Sequence, residues 1–536
     1  MCNIALSAID IVLFSLYFIG IVAFGLFIAR REKPTSRDYF LAGGKLPWYV
    51  IGASLTASNI SAEHFVGMIG SAYAVGLVVA NLEWGNWLTY TLLVWVFLPY
   101  YMRSGLFTMP EFLERRYNRT CRYIYAVVTL VTYITAFMAA ILYAGSLVLE
   151  ALFGLPLVWG ILLIAVTTSV YTIYGGLLSV AWTDFVQFIV LFAGGLIVTL
   201  LGLDAVGGLG VLLAGLPEKF FMYLPANHPE FPFLGIVGTV LSSSMWYVCT
   251  NQFMVQRCLG ARSEWDARMG GVAAGWMKLV LPFVICLPGI IAFKLLGPGQ
   301  DPNHVFALLV SRLVPAGLSG LIMAGLASAV MSTISSALNS ASTVATLDLI
   351  HPLWNKSADE RELVRTGRLV SVVIMLGAVG FGLYFAAQRG QVFLIVQNIY
   401  AYFAAPVAAL FLLGIFWKRA TPAAATVTLI TGFALNEIVD RLLFKLQVFA
   451  PYDSFFNRAA IVFFLSLAIL FLTSLVTRPA AREVVEEICW RPSDLGIREA
   501  GLSPSKRRWL VVSWAGMVGS ILLVYLALAV FQRLNS

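Results

Sequence analysis

The stretch A-S-L-T-A-S-N-I-S-A-E-H-F, residues 53–65, interrupts an apolar segment long enough to cross a bilayer. Tyr49 to Leu55 open that segment and Phe65 to Tyr73 close it. A straight helix would carry Asn59, Glu63 and His64 into hydrocarbon, at a cost of about a few kcal/mol each. Irregular backbone at membrane depth is tolerated only where it lines a cavity inside protein. Secondary transporters build their substrate and ion sites from helices broken near the midplane. The stretch therefore predicts an all-α polytopic membrane protein with a transport site at the break.

Composition agrees. Of 536 residues, 60% are hydrophobic and 12% charged, against about 25% charged in a soluble domain. Fourteen apolar segments of spanning length can be read, near 7–29, 47–74, 79–102, 121–152, 156–173, 179–202, 234–258, 267–296, 314–348, 364–386, 390–417, 422–443, 456–477 and 508–532. The longest polar stretch, 478–507, is too short for an appended soluble domain, so the expectation is a single transmembrane domain over 1–536. The first segment has no basic flank and no small-residue cleavage site, which predicts a retained helix. The six cysteines show no paired spacing, and the four histidines no ligand spacing, so neither a disulfide framework nor a metal centre is expected.

The net charge of +8 reflects topology. On one set of alternate loops lie 26 of the 35 lysines and arginines, and eight on the other, with Lys278 inside an apolar segment. This positive-inside bias predicts loops 30–45 and 478–507 in the cytoplasm and both termini outside it. A basic nucleic-acid surface is thereby excluded.

The polar residues left inside the membrane mark the chemistry. In S-A-V-M-S-T-I-S-S-A-L-N-S-A-S-T, residues 328–343, many small residues serve helix packing. Ser332 and Thr333 differ, because two adjacent hydroxyls and the Ala329 carbonyl one turn earlier offer three neutral oxygens. The carbonyls of Ala57 and Ile60, released at the first break, would complete five. Neutral oxygens suit a hard monovalent cation that must also be released, which fits sodium. Glu83 and Asn86, in N-L-E-W-G-N-W, read either as an interfacial belt or as groups that bind hydroxyls from a cavity wall. Lys278 is too deep to snorkel with ease, so a paired or cavity-facing lysine is expected. Asp184 reads as a helix cap or as a carboxylate on a cation route.

A second interruption, S-M-W-Y-V-C-T-N-Q-F-M-V-Q-R at 244–257, opens the seventh segment as the first break opens the second. This placement predicts two inverted five-helix repeats, 47–202 and 234–417, with 7–29 as an extra N-terminal helix and 422–532 as peripheral helices. An ion channel would show filter-like motifs or charged rings, and an enzyme a nucleophile–base pair; neither pattern is present in the sequence.

With D-Y-F-L-A-G (38–43), residues 53–67, M-P-E-F-L-E-R-R-Y (109–117), W-T-D (182–184), W-Y-V-C-T-N-Q (246–252), L-N-S-A-S-T (338–343) and F-L-L-G-I-F-W-K-R (411–419), the chain resembles the sodium:solute symporter family. The likeness is greatest to its sodium–glucose and sodium–galactose cotransporter branch and spans roughly residues 7 to 440. It implies a LeuT-like core that imports a neutral hexose with sodium across a plasma membrane, the bacterial inner membrane for a bacterial member. The resemblance implies sodium ligands at Ala57, Ile60, Ala329, Ser332 and Thr333, and a sodium exit path at Asp184. It also implies sugar contacts from Asn59, His64, Glu83, Lys278 and Gln397, and an inner gate at Tyr247. Asn86, Ser244 and Val248 depart from the branch pattern; the first two still count among the substrate-binding candidates. The same fold carries other solutes, such as myo-inositol, an amino acid or a monocarboxylate.

Overall fold

The computed structural model describes the chain apart from residues 1–6, 31–34, 62–63, 389–391, 482–484, 487, 498 and 500–501; at 151–153, 388 and 392–402 it describes backbone alone. The described residues are predominantly helical, with one isolated bridge between Leu46 and Ala261 and no strand among them. Among the described residues, ten helical runs are long and apolar enough to cross a membrane, which makes this a multi-pass membrane protein. Polar caps set where many helices begin. The side chains of Ser7, Thr108, Asn118, Ser263, Thr421 and Ser454 each accept a backbone N–H three residues on.

Both sequence breaks are present. The second apolar segment is Trp48–Asn59 followed by His64–Met68 and Ile69–Val75. The seventh runs from Phe233 to Thr250, turns extended at Asn251 (φ −76°, ψ 130°) and resumes as Gln252–Leu259. The fifth and sixth segments form one helical run, Leu157–Val206, bent at Gly176, where φ is 49° and ψ −153°. Only glycine adopts that backbone readily.

The helix Ser319–Val344, here the hydroxyl helix, is the centre of the bundle. Every residue from Ile322 to Val344 is buried. It packs against Leu157–Val206, Ala8–Ala29, Trp48–Asn59 and Glu360–Gln388. Small residues make this approach possible where larger ones would hold backbones apart. By contrast, the first helix turns most of its surface outward, with Ile9, Leu16 and Ile19 at least 60% exposed, as lipid contact requires.

The helix Glu264–Leu296 runs beside both halves of the first broken helix. A Cβ at Gly52 would stand 2.7 Å from the Ala273 Cβ, and one at Gly289 would stand 2.3 Å from the Ile69 carbonyl oxygen. Neither contact leaves room for a side chain.

Candidate functional site

The first break creates the site by redirecting one donor. Ile60 turns to extended backbone (φ −90°, ψ 113°), and the next N–H, that of Ser61, donates to His64 Nδ1 at 3.2 Å instead of continuing the helix. The Ala57 carbonyl is thereby freed. Ser332 Oγ donates to it at 2.9 Å and lies 3.2 Å from the Ala329 carbonyl oxygen. Thr333 Oγ1 lies 3.0 Å from the Ala329 carbonyl and 3.2 Å from that of Ser58. Each of these residues is at most 2% exposed. A hydroxyl that gives its proton to a carbonyl keeps its lone pairs, so the cluster gathers neutral oxygens within hydrogen-bond distance of one another. Four of the five expected oxygens come together. For the fifth, no hydroxyl of this helix bonds the buried Ile60 among the described residues; the Ser58 carbonyl takes part instead. Ser58 was open to recognition, because it lies within the same last turn.

The second cluster lies one residue further along. Lys278 Nζ donates to Asn59 Oδ1 and to Glu83 Oε2. The other Glu83 oxygen is 3.4 Å from His64 Nε2. Because His64 Nδ1 accepts from Ser61, the ring proton is assigned to Nε2 and points at Glu83. Lys278 is 1% and Glu83 4% exposed, while Asn59 and His64 are half-buried and form the open side. Trp84 is fully buried and its indole N–H donates to the Leu279 carbonyl at 2.9 Å. Residues 83–84 are thus core, and the interfacial-belt reading does not hold for them.

A third cluster was not anticipated. Asp184 lies two turns past the Gly176 bend, fully buried, so it is no helix cap. Its Oδ2 accepts from Ser54 Oγ at 2.6 Å and Ser58 Oγ at 3.1 Å, with Arg257 Nη2 at 3.4 Å. Arg257 also donates to Ser54 at 2.6 Å, to Ser58 at 2.7 Å and to Ser336. One guanidinium on Gln252–Leu259 therefore joins that half of the second broken helix to Trp48–Asn59, the bent helix and the hydroxyl helix. Ser58 belongs to this cluster through its hydroxyl and to the first through its carbonyl.

The remaining candidates stand apart. Asn86 bonds within its own helix, to the Leu82 carbonyl at 2.6 Å and to Thr89 Oγ1 at 3.1 Å. Ser244 is half-buried on the second broken helix. Among the described residues no hydrogen bond joins either one to Glu83, His64 or Lys278. Tyr247 is half-buried against Phe253, ring centroids 5.3 Å apart, beside the second break. Gln397 lies on the helix Val392–Phe416, but its side chain is outside the described residues, as is Glu63 altogether. No cluster of metal-binding side chains occurs among the described residues.

Comparison with known proteins finds relatives over most of the chain. A family model described as "SSF: Sodium:solute symporter family" matches residues 39–432. The chain is 34% identical over 465 residues to a sodium/glucose cotransporter of Vibrio parahaemolyticus, covering 80% of this chain and 85% of that one. It is 33% identical over 540 residues to sodium/myo-inositol cotransporter 2 of Oryctolagus cuniculus, covering 90% and 78%. A solved structure of a Na+-coupled sialic acid symporter, in a substrate-bound outward-open state, superposes with a TM-score of 0.78 at 23% identity over 89% of this chain and 99% of that one. At that identity the likeness supports the fold alone. The chain belongs to the sodium:solute symporter family, whose members are secondary active transporters rather than enzymes.

Proposed function

We propose that the protein imports a neutral polyhydroxylated solute, a glucose- or galactose-like hexose, together with sodium by alternating access. The observation that carries this reading is the placement of Ala57 and Asn59, two residues apart at the end of one helix. Ala57 joins the neutral oxygen cluster, and Asn59 joins the Lys278–Glu83 pair. Because Glu83 already neutralises Lys278, the cluster offers hydrogen-bonding groups without a net charge for a substrate carboxylate to meet. That favours hydroxyl-bearing neutral solutes over amino acids and monocarboxylates. One relative is a sodium/glucose carrier and another a sodium/myo-inositol carrier, so myo-inositol is the second reading.

Sodium would bind at Ala57, Ala329, Ser332 and Thr333, with Ile60 as the remaining ligand. Bound there, it ties the first broken helix to the hydroxyl helix and favours the state in which Asn59, His64, Glu83, Lys278 and Gln397 meet sugar. This is coupling through unequal affinity for two states. Inward opening separates the two helices, and sodium leaves past Asp184 while sugar passes Tyr247. In this reading 47–202 and 234–417 are the inverted repeats, Asn86 and Ser244 face the sugar only as it moves, and both termini lie outside the cytoplasm.

The test is uptake of labelled glucose, galactose and myo-inositol into proteoliposomes under a sodium gradient, with unlabelled competitors. Sodium-dependent uptake of one of them is expected. Equal uptake under a potassium gradient refutes the sodium assignment, and competition by carboxylates alone refutes the substrate class.

A further inference from the structure

The helix Ala8–Ala29 precedes both proposed repeats and supplies none of the proposed ligands. We infer that it sets sodium affinity, with Tyr17 and Asp10 as positioning residues that hold the hydroxyl helix at the register where Ser332 and Thr333 meet Ala57. The inference rests on the sodium reading above.

Two polar anchors join the helices. Asp10, 1% exposed, accepts the backbone N–H of Gly317 at 3.0 Å and of Gly320 at 2.7 Å through Oδ1. No side-chain hydrogen bond caps that end, so a carboxylate from another helix satisfies the first-turn donor of Gly320 and the N–H of Gly317 just before the helix. The backbones touch there, since a Cβ at Gly320 would lie 2.4 Å from the Asp10 carbonyl oxygen. About two turns further along both helices, Tyr17 Oη hydrogen-bonds Ser328 Oγ at 2.8 Å. The two helices therefore run in parallel, pinned at Asp10–Gly320 and Tyr17–Ser328.

Around the pins the contact is apolar and buried. Phe14 and Phe18 pack with Met323, Leu326, Ala327 and Val330 around a cavity of about 10 Å³. Apolar contact is non-directional, so the two hydrogen-bonded anchors supply the directional constraint on register. Ser328 lies one turn before Ser332 and next to Ala329, the carbonyl shared by both sodium hydroxyls. Ala57 is held mainly by the packing of Trp48–Asn59 on Glu264–Leu296 and Leu157–Val206, with Arg257 also linking that helix to Ser336 of the hydroxyl helix. A small displacement of the hydroxyl helix thus changes the ligand geometry directly.

The test uses the full chain in proteoliposomes and measures uptake against sodium at saturating sugar, and against sugar at saturating sodium. Tyr17→Phe keeps the ring and removes the hydroxyl. It is expected to raise the half-saturating sodium concentration about five-fold, the scale of one lost hydrogen bond, with the sugar value unchanged. Ser328→Ala should act alike, although it also removes the bond from Ser328 Oγ to the Ala324 carbonyl at 2.7 Å, and the double variant should be no worse than Ser328→Ala alone, because both substitutions remove the Tyr17–Ser328 bond. If one single variant fails to fold, the other reports on the same contact. An unshifted sodium value, additive effects, or a shift in the sugar value instead overturns the inference. Wild-type uptake without sodium dependence would be a failure of the sodium reading, visible before any variant is made.

Discussion

Ser332 Oγ donates to the carbonyl of Ala57 at 2.9 Å, across 275 positions of sequence. The bond exists because the first broken helix lacks its next intrahelical donor, Ser61 N–H having turned to His64. A gap in one helix is filled by a hydroxyl from another, and the same gap is where sodium is proposed to bind.

Thr333→Ala removes one proposed ligand while keeping the helix. The half-saturating sodium concentration is expected to rise roughly tenfold or more, with thermal unfolding in detergent nearly unchanged. Sodium-driven uptake at graded sodium checks this, and an unchanged curve refutes Thr333 as a ligand.

Glu83→Ala leaves Lys278 buried without its counter-charge. Removing one partner of such a pair costs about 3–5 kcal/mol, so a lowered melting temperature and a raised half-saturating sugar concentration are both expected. Adding Lys278→Met should restore most of the stability and none of the sugar affinity. Recovery of both would mean that the pair is structural only.

Arg257→Met leaves Asp184 buried among serines alone and is expected to destabilise the fold on the same scale. Arg257→Lys should fall short of wild type, since an ammonium cannot reach Ser54, Ser58, Ser336 and Asp184 with the fork of a guanidinium. Melting curves of the two variants decide this; a lysine variant as stable as wild type would show that charge alone matters.

Cys489, in the loop between the last two long helices, is 2% exposed. Burial pushes its thiol above the usual cysteine range, against the opposing pull of Arg116 and Lys418. A raised pKa leaves little thiolate at neutral pH. In a Cys2→Ser background, maleimide labelling of the detergent-solubilised protein should be slow at pH 7 and quicken only in alkali. Labelling at pH 7 as fast as that of a free cysteine would contradict the burial.

Both breaks, the hydroxyl run and the depth of Lys278 were legible because each violates the cost of polar groups in hydrocarbon. That cost is a property of sequence position. Which face of a helix a residue occupies is not, and so Asn86 and Ser244 were grouped with Glu83 although no hydrogen bond joins them. Arg257 escaped notice for a related reason. It sits near the end of the second broken helix, where a charge count assigns it to a loop, and only the packing of four helices shows it buried. The Gly176 bend was legible as an interruption, since paired glycines follow a long apolar run, but not as a bend within one continuous helix.

A helix cut in its middle ordinarily gains slack. Here, Gly52 and Gly289 press the pieces before and after the cut against one uninterrupted strut, Glu264–Leu296, with no room for even a methyl group. The cut releases hydrogen-bonding atoms without releasing the pieces themselves. Polarity and looseness, which usually arrive together where a helix stops, are thus obtained separately, and the freed carbonyl stands on a close-packed support.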